Sequence, residues 1–190
     1  PKPVPEDETP YPFILGHEFV GTIHQMGDKY EKTDATGQSL EIGDLVAVRA
    51  IDMSSLPCGT CYYCKNELSN FCVNRKPQKL PPLLKGWQRG YANYRYIHAV
   101  EPVYKCPKGM PLEVAVLTEP LSNAIHAFQI AHQLGDPWLF QATGQVVVIQ
   151  GSGPIGILLT VLSKLSGAWK TIVIGAPENR LKMCREFGAD

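Results

Sequence analysis

The sequence predicts a fold of mixed class, a small, mostly antiparallel, barrel-like β domain followed by the start of a doubly wound α/β domain with a parallel sheet. Three observations predict it. Short apolar stretches separated by turns occupy residues 13–97, an apolar strand at 145–150 runs straight into a glycine turn and a helix, and four cysteines crowd into the fifteen residues from Cys58 to Cys72. A chain of 190 residues, 44% apolar and 19% charged, can bury one large core or two small ones. Eighteen basic residues balance eighteen acidic ones, which argues against a nucleic-acid partner or a membrane surface, since both call for a basic face. With no signal peptide and no apolar run of about eighteen residues, a soluble cytoplasmic protein is expected. The start at Pro1 and the unfinished pattern Phe187-Gly188-Ala189-Asp190 lead us to expect a piece of a longer chain.

The first twelve residues hold five prolines and the acids Glu6, Asp7 and Glu8, which makes an extended loop and not a helix. It leads into an apolar stretch, residues 13–23, which reads as a strand and carries His17 and Glu18 between Gly16 and Gly21. Charge buried in such surroundings costs several kcal/mol unless something compensates. A metal would do so, with a neutral imidazole as ligand and the neighbouring carboxylate as a further ligand or an anchor. The plainer reading is a hydrogen-bonded core histidine beside a salt-bridged glutamate. Residues 41–48 read as a tight turn feeding a buried strand, and residues 90–97, rich in tyrosine, as another strand.

The cysteines read Cys58-Gly-Thr-Cys61-Tyr-Tyr-Cys64 and, eight residues on, Cys72. Short loops with this spacing turn four sulfurs toward one point, the closed thiolate shell of a structural zinc site. Disulfides fit less well, because Cys-x-x-Cys is poor spacing for local bridges and nothing resembling a secretory segment precedes it. A redox motif needs two cysteines, whereas here three recur at equal spacing. Lys65, Arg75, Lys76 and Lys79 are close enough in sequence to offset the excess negative charge.

Residues 112–134 have the apolar recurrence of helices, interrupted at Glu119-Pro120. Proline suits a first helical turn, which sets Glu119 at a helix start, where the partial positive charge favours a carboxylate. Then comes the run Gln145-Val-Val-Val-Ile-Gln150, of the kind found in buried parallel strands. It feeds Gly151, Ser152, Gly153, Pro154, Ile155 and Gly156, with a helix following. A strand, a glycine turn and a helix in that order form a dinucleotide cradle: the first glycine turns the chain, the second admits a pyrophosphate, and the third lets helix and strand pack closely. A second strand, 171–174, ends at Gly175, where NAD-selective folds place an acid. The glycine leaves room for a 2′-phosphate with Arg180 as its cation, and Glu178 is an alternative acid, so NAD and NADP both stay open.

Together, Gly16-His17-Glu18, the four-cysteine lobe, Glu119-Pro120 and the glycine turn resemble the zinc-dependent medium-chain alcohol dehydrogenases, in order and approximate spacing, across nearly the whole chain. The resemblance implies a GroES-like catalytic domain over residues 1–118 and the start of a Rossmann coenzyme domain over 119–190. It implies His17 as a catalytic zinc ligand, Glu18 as ligand or exchange partner, and Cys58, Cys61, Cys64 and Cys72 around a structural zinc. The stretch Glu119-Pro-Leu-Ser-Asn123-Ala-Ile-His126 looks like the polyol and threonine dehydrogenase branch. There the glutamate binds zinc directly or through its water, and Asn123 would face the nicotinamide. The family's first catalytic ligand, a cysteine upstream of Gly-His-Glu, and the proton-relay group beside it have no counterpart here. The implied activity is hydride transfer between an alcohol, polyol-like or amino-alcohol-like, and NAD or NADP, with two zincs in the complete protein. A small-molecule alcohol or carbonyl is the expected substrate, and a homodimer or homotetramer the expected assembly. Two alternatives compete: a zinc-free quinone or enone reductase of the same superfamily, and a non-enzymatic zinc-stabilised binding module.

Overall fold

The structure, a computed structural model, describes residues 15–49, 55–66, 68–77, 90–98, 101–132 and 142–190. The chain forms two compact units, Pro1–Val116 and Leu117–Asp190.

The first unit is built on a three-stranded antiparallel sheet with β2 (Leu45–Val48) between β1 (Val20–Thr22) and β5 (Val103–Lys105). The register sets Val20 opposite Ala47 and Val48 opposite Val103. As the central strand, β2 buries Val46, Ala47 and Val48 in succession, with Leu40 and Val103 completing the core and Phe19, Ile23 and Tyr30 packed on it. Burying each valine contributes about 2 kcal/mol. The expected turn before β2 is present, held where the Glu41 N–H donates to Asp44 Oδ2 at 2.7 Å. Buried Asp34 accepts from the N–H groups of Thr36, Gln38 and Lys105 and from the Thr36 hydroxyl, at 2.7–3.0 Å. Those donors, the Lys105 N–H foremost, hold its carboxyl down at about 2. The same Lys105 pairs its ammonium with Asp44 at 2.7 Å.

Two expectations are corrected here. Of the apolar stretch 13–23, residues 13 and 14 lie outside the described residues, 15–19 are irregular, and only Val20–Thr22 is strand. The tyrosine-rich stretch 90–97 is bends over 90–94 and irregular backbone after them, not a strand. Among the described residues, Gly90 N–H donates to Gly16 O and Tyr91 N–H to Leu15 O, while Ala92 N–H folds back to Gly90 O at 2.8 Å.

Between β3 (Ser55–Leu56) and β4 (Lys76–Pro77), which pair antiparallel, the chain makes a lobe. It contains a single-turn helix, α1 (Tyr62–Lys65), and a 3-10 turn, Ser69–Phe71. A short helix α2 (Leu112–Ala115) ends the unit.

The second unit opens with α3 (Thr118–His132), so the helical break falls at 116–117 and Pro120 sits in the first turn, where the N–H it lacks has no use. The strand β6 (Val146–Gln150), the helix α4 (Pro154–Leu165) and the strand β7 (Lys170–Ile174) follow, with β6 and β7 parallel and Val147 opposite Thr171. Helix α5 (Glu178–Glu186) closes the unit. The expectation of buried strands holds for one face only. Ile149 and Thr171 are buried there, with Ile149 under α4, while Val146, Val148, Ile172 and Ile174 on the other face are exposed. Alternation is what a sheet covered on one side shows.

Candidate functional site

The four cysteines of the lobe converge. Their sulfurs all lie within 4.8 Å of one another. Cys61 and Cys64 are 3.5 Å apart, Cys58 and Cys64 3.9 Å, and Cys61 and Cys72 3.9 Å. A tetrahedron of zinc–sulfur bonds about 2.3 Å long has edges of about 3.8 Å, so the sulfur set fits zinc, and all four thiols are unbridged. Local structure explains the convergence. Cys61 caps α1 and Cys64 lies one turn later, while Cys72 caps the 3-10 turn. Backbone donors face the sulfurs: Cys61 N–H reaches Cys58 Sγ, and Cys58 N–H reaches Cys72 Sγ, both at 3.3 Å. The Thr60 hydroxyl, then the N–H groups of Thr60 and Cys61, pull Cys58 down to about 5. Burial, with the neighbouring thiols adding to it, pushes Cys64 up to about 12. Of the nearby cations, Arg75 donates to Ser69 O at 3.3 Å, and Lys79 lies outside the described residues.

His17 and Glu18 belong to the first unit and both are exposed, so the expected burial of this pair is corrected. They follow Gly16 and precede β1 on irregular backbone. Gly16 has φ +89°, and a Cβ there would come within 2.8 Å of the Tyr91 ring. Glycine is therefore required immediately before the histidine.

Glu119 lies in the first turn of α3 in the second unit, as its spacing from Pro120 predicts. The Asn123 side-chain amide, one turn on, donates to Glu119 Oε1 at 2.9 Å and to its carbonyl at 3.2 Å. Asn123, which the resemblance sets facing the nicotinamide, thus also braces the glutamate.

The glycine turn is assembled in the same unit. Gly151 has φ +111°, which only glycine adopts readily, and its N–H donates to Ile174 O at 2.7 Å. A Cβ on Gly156 would strike the Gly151 carbonyl at 1.9 Å, so the third glycine is fixed by helix–turn packing. Gly153 differs, since a Cβ there would meet nothing within 4 Å. Protein packing does not demand that glycine, and the space it leaves is where a phosphate would approach. Gly153 caps α4 and Pro154 is its first residue, which leaves the first-turn amides of Ile155 and Gly156 without acceptors inside the helix. These residues fit a dinucleotide pyrophosphate.

Gly175 has a packing reason as well. A Cβ there would lie 2.7 Å from Ser152 Oγ and 2.8 Å from Ser152 N. Ser152 is buried and its hydroxyl donates to Ala176 O at 3.0 Å, tying the two turns together. Arg180, in the first turn of α5, is exposed, and Glu178 pairs with Arg185 at 2.8 Å. Sequence reasoning missed one arrangement: Arg95 and Glu101, an ion pair at 2.6 Å with side chains only 7% and 0% exposed. Its one signal was an arginine among Tyr94, Tyr96 and Ile97. Among the described residues no helix is long and apolar enough to cross a membrane.

The family model described as the alcohol dehydrogenase GroES-like domain matches residues 4–108, more than half of the chain. An L-threonine 3-dehydrogenase of Thermococcus kodakarensis is 32% identical over 179 residues, which are 94% of this chain and 44% of that protein. A sorbitol dehydrogenase of Bombyx mori has the same identity and coverage. Among solved structures, an alcohol dehydrogenase from Thermotoga maritima matches with a TM-score of 0.75 at 29% identity, over 95% of this chain and 47% of that one. Galactitol-1-phosphate dehydrogenase from Escherichia coli matches with a TM-score of 0.63 at 28% identity, over 94% and 44%. The chain spans less than half the length of these relatives.

Proposed function

Because the chain belongs to the medium-chain alcohol dehydrogenase family, we propose that it acts as a zinc-dependent oxidoreductase, moving a hydride between a polyol-like or amino-alcohol-like substrate and NAD or NADP. The observation that carries this reading is the open space at Gly153 over the start of α4, which suits a pyrophosphate and has no packing purpose of its own. The relatives named threonine and sorbitol dehydrogenase support the substrate class.

In this reading the lobe of Cys58, Cys61, Cys64 and Cys72 holds a structural zinc, while His17, Glu18 and Glu119 serve a catalytic one. When bound, the catalytic zinc supplies Lewis-acid polarisation of the substrate oxygen, and the nicotinamide accepts the hydride. His17 would contribute an imidazole nitrogen from an exposed residue on backbone that its neighbours fix. Glu18 and Glu119 would contribute carboxylates, the second braced by Asn123, which would also face the nicotinamide. Gly151, Ser152, Gly153, Pro154, Ile155 and Gly156 form the turn that seats the pyrophosphate. The absence of an acid at Gly175, together with Arg180, supports NADP. Six unbridged thiols accord with a reducing, cytoplasmic setting.

Elemental analysis of the full-length protein tests the reading. Two zincs per chain are expected, one lost in His17→Ala and the other in Cys61→Ser. A single zinc, lost only in Cys61→Ser, would leave the lobe structural and shift the activity to a zinc-free reductase.

A further inference from the structure

We infer that Arg95 is a positioning residue for the His17 centre: locked by Glu101 inside the first unit, it clamps Phe19 and thereby fixes the backbone that presents His17 and Glu18. The inference rests on the proposed reading of His17 as a zinc ligand.

Gly90, Tyr91 and Arg95 grip the His-Glu pair from both sides. On the N-terminal side, Gly90 N–H donates to Gly16 O at 2.9 Å, Tyr91 N–H donates to Leu15 O at 3.0 Å, and the Tyr91 ring lies against Gly16. On the C-terminal side, the Arg95 guanidinium carbon stands 4.1 Å over the centre of the Phe19 ring, and Gly90 closes on Phe19 so tightly that a Cβ would lie 3.1 Å from its Cβ. Only His17 and Glu18 lie between the two grips. Arg95 is itself held, with Nη2 2.6 Å from Glu101 Oε1, while Glu101 Oε2 accepts the His98 N–H at 2.9 Å.

A pair buried to 7% and 0% exposure is a poor source of net stability, because desolvation offsets most of its attraction. Its contribution is directional. The planar guanidinium, bonded through its edge to a carboxylate, presents its face to an aromatic ring. Lysine keeps the charge for Glu101 but offers no plane, so Arg95→Lys separates stacking from charge burial.

The test is chelator competition on the zinc-loaded, full-length protein, with the cysteine lobe as internal control and the d–d spectrum of cobalt in the second site as an independent readout. Arg95→Lys is expected to keep the lobe zinc, to release the second zinc roughly 10- to 100-fold more readily, and to shift the cobalt band. Phe19→Leu should reproduce both effects, and the double variant should add little to either single one. A lowered melting temperature in Arg95→Lys with unchanged second-site affinity and cobalt spectrum overturns the inference. Should that variant fail to fold, unchanged affinity in Phe19→Leu overturns it equally. A wild-type protein that binds one zinc, lost in Cys61→Ser, overturns the His17 reading and this inference with it, before any Arg95 variant is made.

Discussion

The cysteine lobe and the His17–Glu18 stretch are both metal-ligand candidates of the first unit, and they are built in opposite ways. In the lobe, all four sulfurs come from fifteen residues, two short helical turns aim them inward, and backbone N–H groups face them. At His17 and Glu18 the side chains are exposed, the backbone is irregular, and its course is set by a segment more than seventy residues away in the chain. The difference matches what each kind of site must do, since a structural site is closed and a catalytic one keeps a position open. It also separates the expected consequences of mutation. Damage to the lobe should appear as lost stability, and damage at His17 as lost turnover.

The largest expected effect is on turnover. His17→Ala should lower kcat/KM by roughly a hundredfold or more and lower the melting temperature less than loss of the lobe zinc does, because the lobe is closed around its metal while His17 lies on exposed, irregular chain. Steady-state kinetics beside calorimetry checks both halves, and normal turnover would break the comparison. Next, Cys61→Ser should remove the lobe zinc and lower stability by several kcal/mol, since structural zinc contributes folding energy directly. Loss of turnover at unchanged stability would reverse the two assignments.

The glycine turn sharpens the same distinction between closed packing and open space. Gly156→Ala forces a methyl into a carbonyl and should cost roughly 1–3 kcal/mol of folding stability. Gly153→Ala should leave stability within about 0.5 kcal/mol while weakening coenzyme binding about tenfold, measured by calorimetric titration. Equal stability losses in the two variants would remove the case for a phosphate at Gly153.

The smallest effect is expected far from either metal candidate. The folded state holds Asp34 at about 2, below its ordinary 3.8. Its contribution to stability is therefore fully present above about 3.8 and is lost as pH falls through about 2. Asp34→Asn should melt lower than the parent protein at neutral pH, and the gap should close as the solution is acidified toward pH 2.

What could be read from the sequence was what short spacing encodes: the sulfurs of the lobe, the glycine turn with its flanking strand and helix, and Glu119 placed by Pro120. Long-range pairing was not legible. Residues 90–97 have strand composition, yet Ala92 N–H folds back to Gly90 O, and composition carries no sign of that. The packing of Gly175 on Ser152 was not legible either, because it joins turns twenty-three residues apart. The apolar run 146–150 predicted burial on both faces, whereas residue types alone do not say which face a helix covers. Arg95 and Glu101 share no motif, and only the oddity of a cation among tyrosines pointed to them.

The two-rung stem of β3 and β4 has one more consequence. It brings the chain's entry to and exit from the lobe side by side, at the spacing of neighbouring strands, roughly 5 Å. A tight hairpin turn could bridge that gap. The lobe is thus one contiguous piece of sequence with its own stem, which design could shorten to a turn or carry elsewhere whole.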